Sequence, residues 1–317
     1  MNFWEDLKKP IYILAPMYGV TDTVFRRIVI SVGRPDVFFT EFTPVEGLMS
    51  PAKEKMLETL KFDQIERPIV AQIWGSKPDK FYETAKLIAQ LGFDGIDINM
   101  GCPEKNPIKI GSCAALIKNP KLAVEIIKAT IEGAGGLPVS VKTRIGFGNI
   151  ETEEWVRILL STPITALALH LRTTKEKSDV PAHWEEMKKA VRIRNELGSK
   201  TLLVGNGDVK SLKEAEEKCK LYSIDGIMIG RGIFENVWLF NPEVDPKKIT
   251  PEMKIDLLLK HLKLFQETYG NHRHFELMKK FVKCYVNNFD GASETREKLM
   301  STKSLNELID ATLKLPA

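Results

Sequence analysis

With 317 residues, 43% apolar and 28% charged, the chain can bury a substantial core, and it is long enough for one large barrel with an appendage or for two ordinary domains. It shows no apolar run of membrane length and no charged-then-apolar leader at Met1, so the expectation is a soluble, cytoplasmic protein without a membrane partner. Cys102, Cys113, Cys219 and Cys284 form neither a metal-type pair nor a disulfide framework, so no metal site is expected, and a net charge of +4 permits a polyanionic partner without requiring one.

From Ile11 onward, short β-branched runs alternate with longer amphipathic stretches. The pattern predicts strands at Ile11–Ala15, Val37–Thr40, Pro68–Ile73, Asp94–Ile98, Pro138–Thr143, Thr165–Leu169, Thr201–Val204 and Asp225–Ile229. Helices are predicted at Pro78–Leu91, Lys121–Ile131, Thr152–Ser161, Trp184–Leu197 and Ser211–Cys219. Eight strands in β-then-α order imply an α/β chain built as a (β/α)8 TIM barrel over residues 1–243. An open doubly wound sheet is the alternative, but Ala15-Pro-Met-Tyr-Gly19 lacks the glycine fingerprint expected after its first strand. Asn241-Pro-Glu-Val-Asp-Pro246 reads as a linker. Residues 244–317 then form a small C-terminal all-helical domain, with helices predicted at Met253–Tyr269, Phe275–Asn288, Ser293–Met300 and Ser304–Leu313.

Asp94-Gly-Ile-Asp-Ile-Asn-Met-Gly-Cys-Pro103 delivers a thiol just past the end of a strand, outside the apolar run, which favours chemistry over packing for Cys102. Other capable residues gather at the ends of the remaining strands: Pro16 and Met17, Gln72, Asn99, Lys142 and Arg144, His170 and Arg172, Asn206 and Asp208, Gly230 and Arg231. Ligands bind at that edge of a parallel barrel. The glycine-rich ends of the last two strands, with Arg231, suit a phosphate; tight turns are the blander explanation. Gln72, Lys142 and His170 can hydrogen-bond a planar heterocycle, and a flavin meets that demand, although Lys142 could simply pair with Glu41.

These segments resemble the tRNA-dihydrouridine synthases, flavin-dependent enzymes that reduce uridine in transfer RNA. The resemblance rests on Ala15-Pro-Met-Tyr-Gly-Val-Thr-Asp22, Ala71-Gln-Ile-Trp-Gly75, Asn99-Met-Gly-Cys-Pro103, Gly111-Ser-Cys-Ala-Ala-Leu116, Val141-Lys-Thr-Arg-Ile-Gly146, His170-Leu-Arg-Thr173, Val204-Gly-Asn-Gly-Asp208 and Ile229-Gly-Arg-Gly-Ile-Phe234. Leu171 and the stretch Thr174-Lys-Glu-Lys-Ser-Asp179 depart from the family's usual wording. The resemblance implies FMN in the barrel, with Pro16, Met17, Gln72, Lys142 and His170 around its ring and Asn206, Asp208, Gly230 and Arg231 at its phosphate end. It also implies a tail that helps to grip tRNA, Asn99 and Cys102 facing the target base, and Cys102 as the proton donor, with NADPH or NADH recharging the flavin.

The chemistry requires hydride at carbon 6 of uracil and a proton at carbon 5, so Cys102 must start protonated and is expected not to be a strongly depressed thiolate. Lys105, Lys109, Arg144 and Arg172 fall in loops at the same mouth and suit an entering polyanion. In the tail, Arg273, Lys280 and Lys283 are spaced to share a helical face, which is either a phosphate contact or a merely solvated face. Two other functions fit the same residues: a reductase of a free pyrimidine, of the dihydroorotate type, and an RNA-binding protein whose catalysis has lapsed. No obligate protein partner is evident.

Overall fold

The computed structural model describes residues 2–270 and 272–315. Eight parallel strands run β1 Ile11–Leu14, β2 Phe38–Phe39, β3 Ile69–Trp74, β4 Gly95–Met100, β5 Val139–Arg144, β6 Ala166–His170, β7 Leu202–Asn206 and β8 Gly226–Ile229. Each pairs with the next, and β8 returns to β1 through Ile11↔Gly226 to Leu14↔Ile229. Between β1 and β2 the ladder shrinks to a single bridge, Ile13↔Val37, supported by Asp36 N–H donating to the Tyr12 carbonyl at 2.8 Å. A further two-residue strand, Thr43–Pro44, pairs with the end of β3 and is absent from the sequence-based expectation.

The helices around this barrel are α1 Thr23–Val32, α2 Pro78–Gln90, α3 Pro120–Gly133, α4 Thr152–Leu160, α5 Glu186–Glu196 and α6 Leu212–Tyr222. Asp22 caps α1 by accepting the Phe25 N–H at 2.9 Å, and Asn119 and Ser211 cap α3 and α6 in the same way. Side chains alternate along each strand. Residues such as Ile96, Ile98, Val141, Leu167 and Leu169 pack outward under the helices in the larger apolar cluster, whereas Ile11, Ile13, Val70, Ala166, Ala168, Val204 and Met228 fill the barrel interior.

After the barrel come α7 Pro251–Tyr269, α8 Glu276–Tyr285, α9 Ala292–Met300 and α10 Leu305–Leu313. They share the barrel's outer apolar cluster. Phe281 of α8 stacks near Phe25 of α1 with ring centroids 5.0 Å apart, and the buried His261 ring lies 5.8 Å from the same phenylalanine. The Tyr285 hydroxyl is 2.8 Å from His261 Nδ1, and burial drives the imidazole pKa down to about 3. Asn241, in the segment read as a linker, donates to the Val32 carbonyl at 2.9 Å and so ties that segment to the end of α1.

Candidate active site

Period-two alternation places one residue parity of every strand inside the barrel, and near the strand ends that parity turns polar. Gln72 lies above Val70, Asn99 above Asp97, Lys142 above Ser140, His170 above Ala168 and Asn206 above Val204. Among these, Asp97 escaped the sequence reading, although its spacing of two from Asn99 within a strand was the available signal. Its carboxylate accepts Ser140 Oγ at 2.6 Å and Gln72 Nε2 at 2.7 Å. Burial raises its pKa to about 6 against those hydrogen bonds and the Lys142 charge. From Asp97 a directed chain climbs to the mouth. Asn99 Nδ2 donates to Gln72 Oε1 at 3.0 Å, and Asn99 Oδ1 accepts the backbone N–H groups of Gly101 and Cys102, each at 3.0 Å. Since a carboxylate can only accept, Gln72 must present its NH2 to Asp97, and the orientation of both amides follows.

Cys102 is partly exposed, and its neighbour in space is Cys113, which sits buried with a left-handed φ of 54° at the start of the Cys113–Lys118 helical turn. The Ala114 N–H donates to the Cys102 carbonyl at 3.4 Å and closes the two loops on each other. The Cys102 thiol lies below the ordinary thiol range. The Cys113 thiol hydrogen-bonds the Cys102 sulfur and lowers its pKa to about 7; the Glu104 N–H and Arg144 assist, against burial and the Glu104 carboxylate. Cys113 moves the opposite way, well above the usual thiol range.

Lys142 has its pKa lowered to about 8 by burial and by Arg144, and the carboxylate that feels its charge is Asp97, not Glu41. Glu41 is taken up by the Gly19 N–H at 2.6 Å and by Arg273. His170 is pushed well below its usual range, by burial first and then by Lys142, Arg144 and Arg172, so the ring is neutral.

A cavity of about 450 Å³ opens at this edge, and Pro16, Met17, Lys142, His170, Arg172, Asn206, Asp208, Gly230 and Arg231 all line it. Gln72, Asn99 and Cys102 are not part of its wall. Gln72 is wholly buried between Asp97 and Asn99, with one amide hydrogen left over. A Cβ on Gly230 would project into open cavity, its nearest neighbours Ala15 Cβ at 3.6 Å and Met17 Sδ at 3.9 Å, so a larger residue would take up ligand space. Asp208 accepts Arg172 and the Ala182 N–H and stands 3.5 Å from Arg231, whose side chain is otherwise solvent-facing. Asn206 Nδ2 donates to the Met228 carbonyl at 2.8 Å. Leu171 is fully buried in the outer core, so this departure from the family wording is absorbed by packing.

The basic residues separate into two groups. Lys105 and Lys109 are exposed on the short helix that follows Cys102, and Lys280 and Lys283 are exposed on α8. Arg144, by contrast, is buried and donates to the carbonyls of Gly101, Thr173 and Lys177 at 2.8–2.9 Å. Arg172 is buried against Val180, His170 and Asp208. Arg273 lies before α8 rather than on it, so it does not share a helical face with Lys280 and Lys283. It donates to Asp22 at 2.9 Å and to Glu41 at 3.4 Å and lies over the Tyr269 ring. These three arginines brace the mouth, because buried carbonyls and carboxylates there need donors. A second cavity, about 1110 Å³, runs between α8, the loop before α9 and barrel residues Val20 and Phe234. Among the described residues no cluster of His, Cys, Asp and Glu suits a metal ion, and no helix is long and apolar enough to cross a membrane.

The dihydrouridine synthase family model matches residues 13–315. The chain belongs to the dihydrouridine synthase family. It is 47% identical to a Staphylococcus aureus (strain COL) protein named "Probable tRNA-dihydrouridine synthase", over 96% of this chain and 93% of the relative. To "Probable tRNA-dihydrouridine synthase 2" of Bacillus subtilis (strain 168) it is 45% identical over 97% and 94%. Among solved structures it shares its fold with morphinone reductase, with a TM-score of 0.53, 11% identity, and coverage of 75% of this chain and 88% of that one. A 2-naphthoyl-CoA reductase gives a TM-score of 0.56 at 11% identity, covering 73% and 49%.

Proposed function

We propose that this chain reduces the C5=C6 bond of uridines in transfer RNA to dihydrouridine, using FMN bound in the 450 Å³ cavity and NADPH or NADH as the reductant. The observation that carries the reading is the chain of hydrogen bonds from Asp97 through Gln72 and Asn99 to the backbone of Cys102, which fixes a thiol at the mouth. The cavity fits a flavin mononucleotide. Its wall holds a buried ammonium, a neutral imidazole and an arginine beside an unfilled Gly230, the donors that a planar ring and a phosphate together require, with the Met17 side chain as an apolar surface for the ring.

When bound, FMN supplies hydride equivalents for carbon 6 of the uracil. Lys142, short of a full protein partner, would favour negative charge on a flavin ring bound beside it, and neutral His170, whose Nε2 accepts from Arg172, would keep its Nδ1–H to donate. Arg231 would hold the phosphate. Cys102 gives its proton to carbon 5, and the Cys113 thiol steadies the resulting thiolate. Asn99 keeps the Cys102 backbone in place while the flipped uridine enters, with Lys105 and Lys109 beside its path. The helices after residue 244, with Lys280 and Lys283 on α8, add phosphate contacts. The site of action is the cytoplasm.

The test is to incubate purified FMN-loaded protein with NADPH and unmodified tRNA, and to map dihydrouridine by mass. Dihydrouridine at defined positions supports the reading. Equal turnover of free uridine favours a small-pyrimidine reductase, and colourless protein that binds RNA without forming product favours a lapsed enzyme.

A further inference from the structure

Resting on the reading of RNA as substrate, we propose that Tyr18 and Phe42 form a stacking shelf at the lip of the active mouth, for an unpaired nucleobase next to the target uridine. Tyr18 is 66% exposed, while the residue before it, Met17, lines the active cavity. Single exposed aromatics are common on protein surfaces, but this one stands at the rim of a binding cavity with a second ring, Phe42, beside it.

The turn that carries it is held on both sides. Thr21 Oγ1 accepts the Met17 N–H at 2.9 Å, the Met17 carbonyl accepts the N–H groups of Val20 and Thr21 at 3.1 and 3.0 Å, and the Gly19 N–H donates to Glu41 at 2.6 Å. Asp22, at the end of the turn, is pinned by Arg273. The ring therefore belongs to a fixed backbone rather than to a loose loop, so less freedom is lost when a ligand settles on it. Phe42, half-buried, backs it with ring centroids 5.5 Å apart at 40°.

The neighbouring charge selects the occupant. Lys280 Nζ comes within 2.9 Å of where a Cβ on Gly19 would stand, so the ammonium lies against the same turn, in the space left by the missing side chain. An aromatic face with an ammonium alongside matches a base and its phosphate, the pairing through which single-stranded nucleotides are held. The target uridine enters at the mouth above that cavity, on the Cys102 side of the flavin it would hold, so the shelf at the lip takes a flanking base and stabilises the unstacked form of the loop.

The experiment measures binding of an unmodified tRNA transcript to FMN-loaded wild type and to Tyr18→Ala, Tyr18→Leu and Tyr18→Trp, with flavin content and the rate of flavin reduction by NADPH as fold controls. Tyr18→Ala and Tyr18→Leu are expected to weaken binding about ten- to a hundredfold, with little change in the salt slope, and Tyr18→Trp to restore it. Binding by Tyr18→Ala equal to wild type, or Tyr18→Leu as good as Tyr18→Trp, overturns the shelf and leaves the substrate reading intact. Wild-type protein that neither binds nor modifies the transcript overturns both.

Discussion

The Asn99 carboxamide oxygen accepts the backbone N–H of Cys102 at 3.0 Å while its NH2 donates to Gln72, so the position of the reactive thiol is set from the barrel interior. Asn99→Ala removes the acceptor for two adjacent N–H groups. Turnover on tRNA is expected to fall about tenfold or more with flavin content retained, since small displacements of a catalytic group are costly. Steady-state kinetics with a flavin absorbance check reads both quantities.

The Cys102 thiol must be protonated to act, and its pKa stands at about 7. The rate of product formation in a single turnover is therefore expected to decline as pH rises through about 7. Cys113→Ala removes the hydrogen bond that favours the thiolate, so the decline moves to higher pH, and alkylation of Cys102 by iodoacetamide shifts upward with it. An unmoved alkylation profile in Cys113→Ala would remove Cys113 from this role.

Arg231 projects a largely exposed guanidinium beside Gly230 and pairs only loosely with Asp208 at 3.5 Å. Arg231→Ala is expected to weaken FMN retention about tenfold, the loss of one charge-assisted contact at a solvated site. Equilibrium dialysis of FMN against the apoprotein measures it.

Arg273 joins the tail to the barrel through two buried carboxylates, Asp22 and Glu41, both already raised by burial. Arg273→Ala leaves them without their cation and is expected to destabilise by about 3–5 kcal/mol at neutral pH. A carboxyl whose folded pKa is raised favours folding below its unfolded pKa, near 4, and loses that advantage as pH rises through the folded value. The deficit of the variant against wild type should therefore shrink between neutral pH and pH 4. Denaturant melts at the two pH values check the sign.

Lys280 and Lys283 stand exposed along α8 on the wall of the larger groove. Replacing both with Ala is expected to weaken tRNA binding and to flatten the dependence of log Kd on log salt by roughly one to two units. Fluorescence anisotropy across a salt series measures the slope.

The strands were legible because their β-branched runs alternate at a fixed period and stop at glycine or proline, as at Gly95–Met100 before Gly101 and Pro103. The Thr43–Pro44 strand was not, since two residues carry no period. Of the site, the strand-end residues that line the cavity could be named from the barrel's geometry alone. Partners could not. Whether an arginine meets solvent or a buried carbonyl depends on loops far away in sequence, which is why Arg144, Arg172 and Arg273 read as contacts for a polyanion while the protein's own carbonyls and carboxylates engage their guanidinium groups. Asp97 was hidden for a different reason: a carboxylate inside an apolar strand is rare, and Gln72, Ser140 and the Lys142 charge make it tolerable there. The effect of Cys113 on Cys102 needed the fold of two loops on each other.

The most direct measurement is a single turnover. Wild-type and Cys102→Ala protein, both loaded with FMN and reduced beforehand without oxygen, are mixed with unmodified tRNA, and dihydrouridine is quantified by mass alongside flavin oxidation. The account predicts that wild type forms dihydrouridine in step with flavin oxidation, while Cys102→Ala, with the same flavin content and tRNA affinity, is slower by about a hundredfold or more. Dihydrouridine formed by Cys102→Ala at the wild-type rate would contradict it.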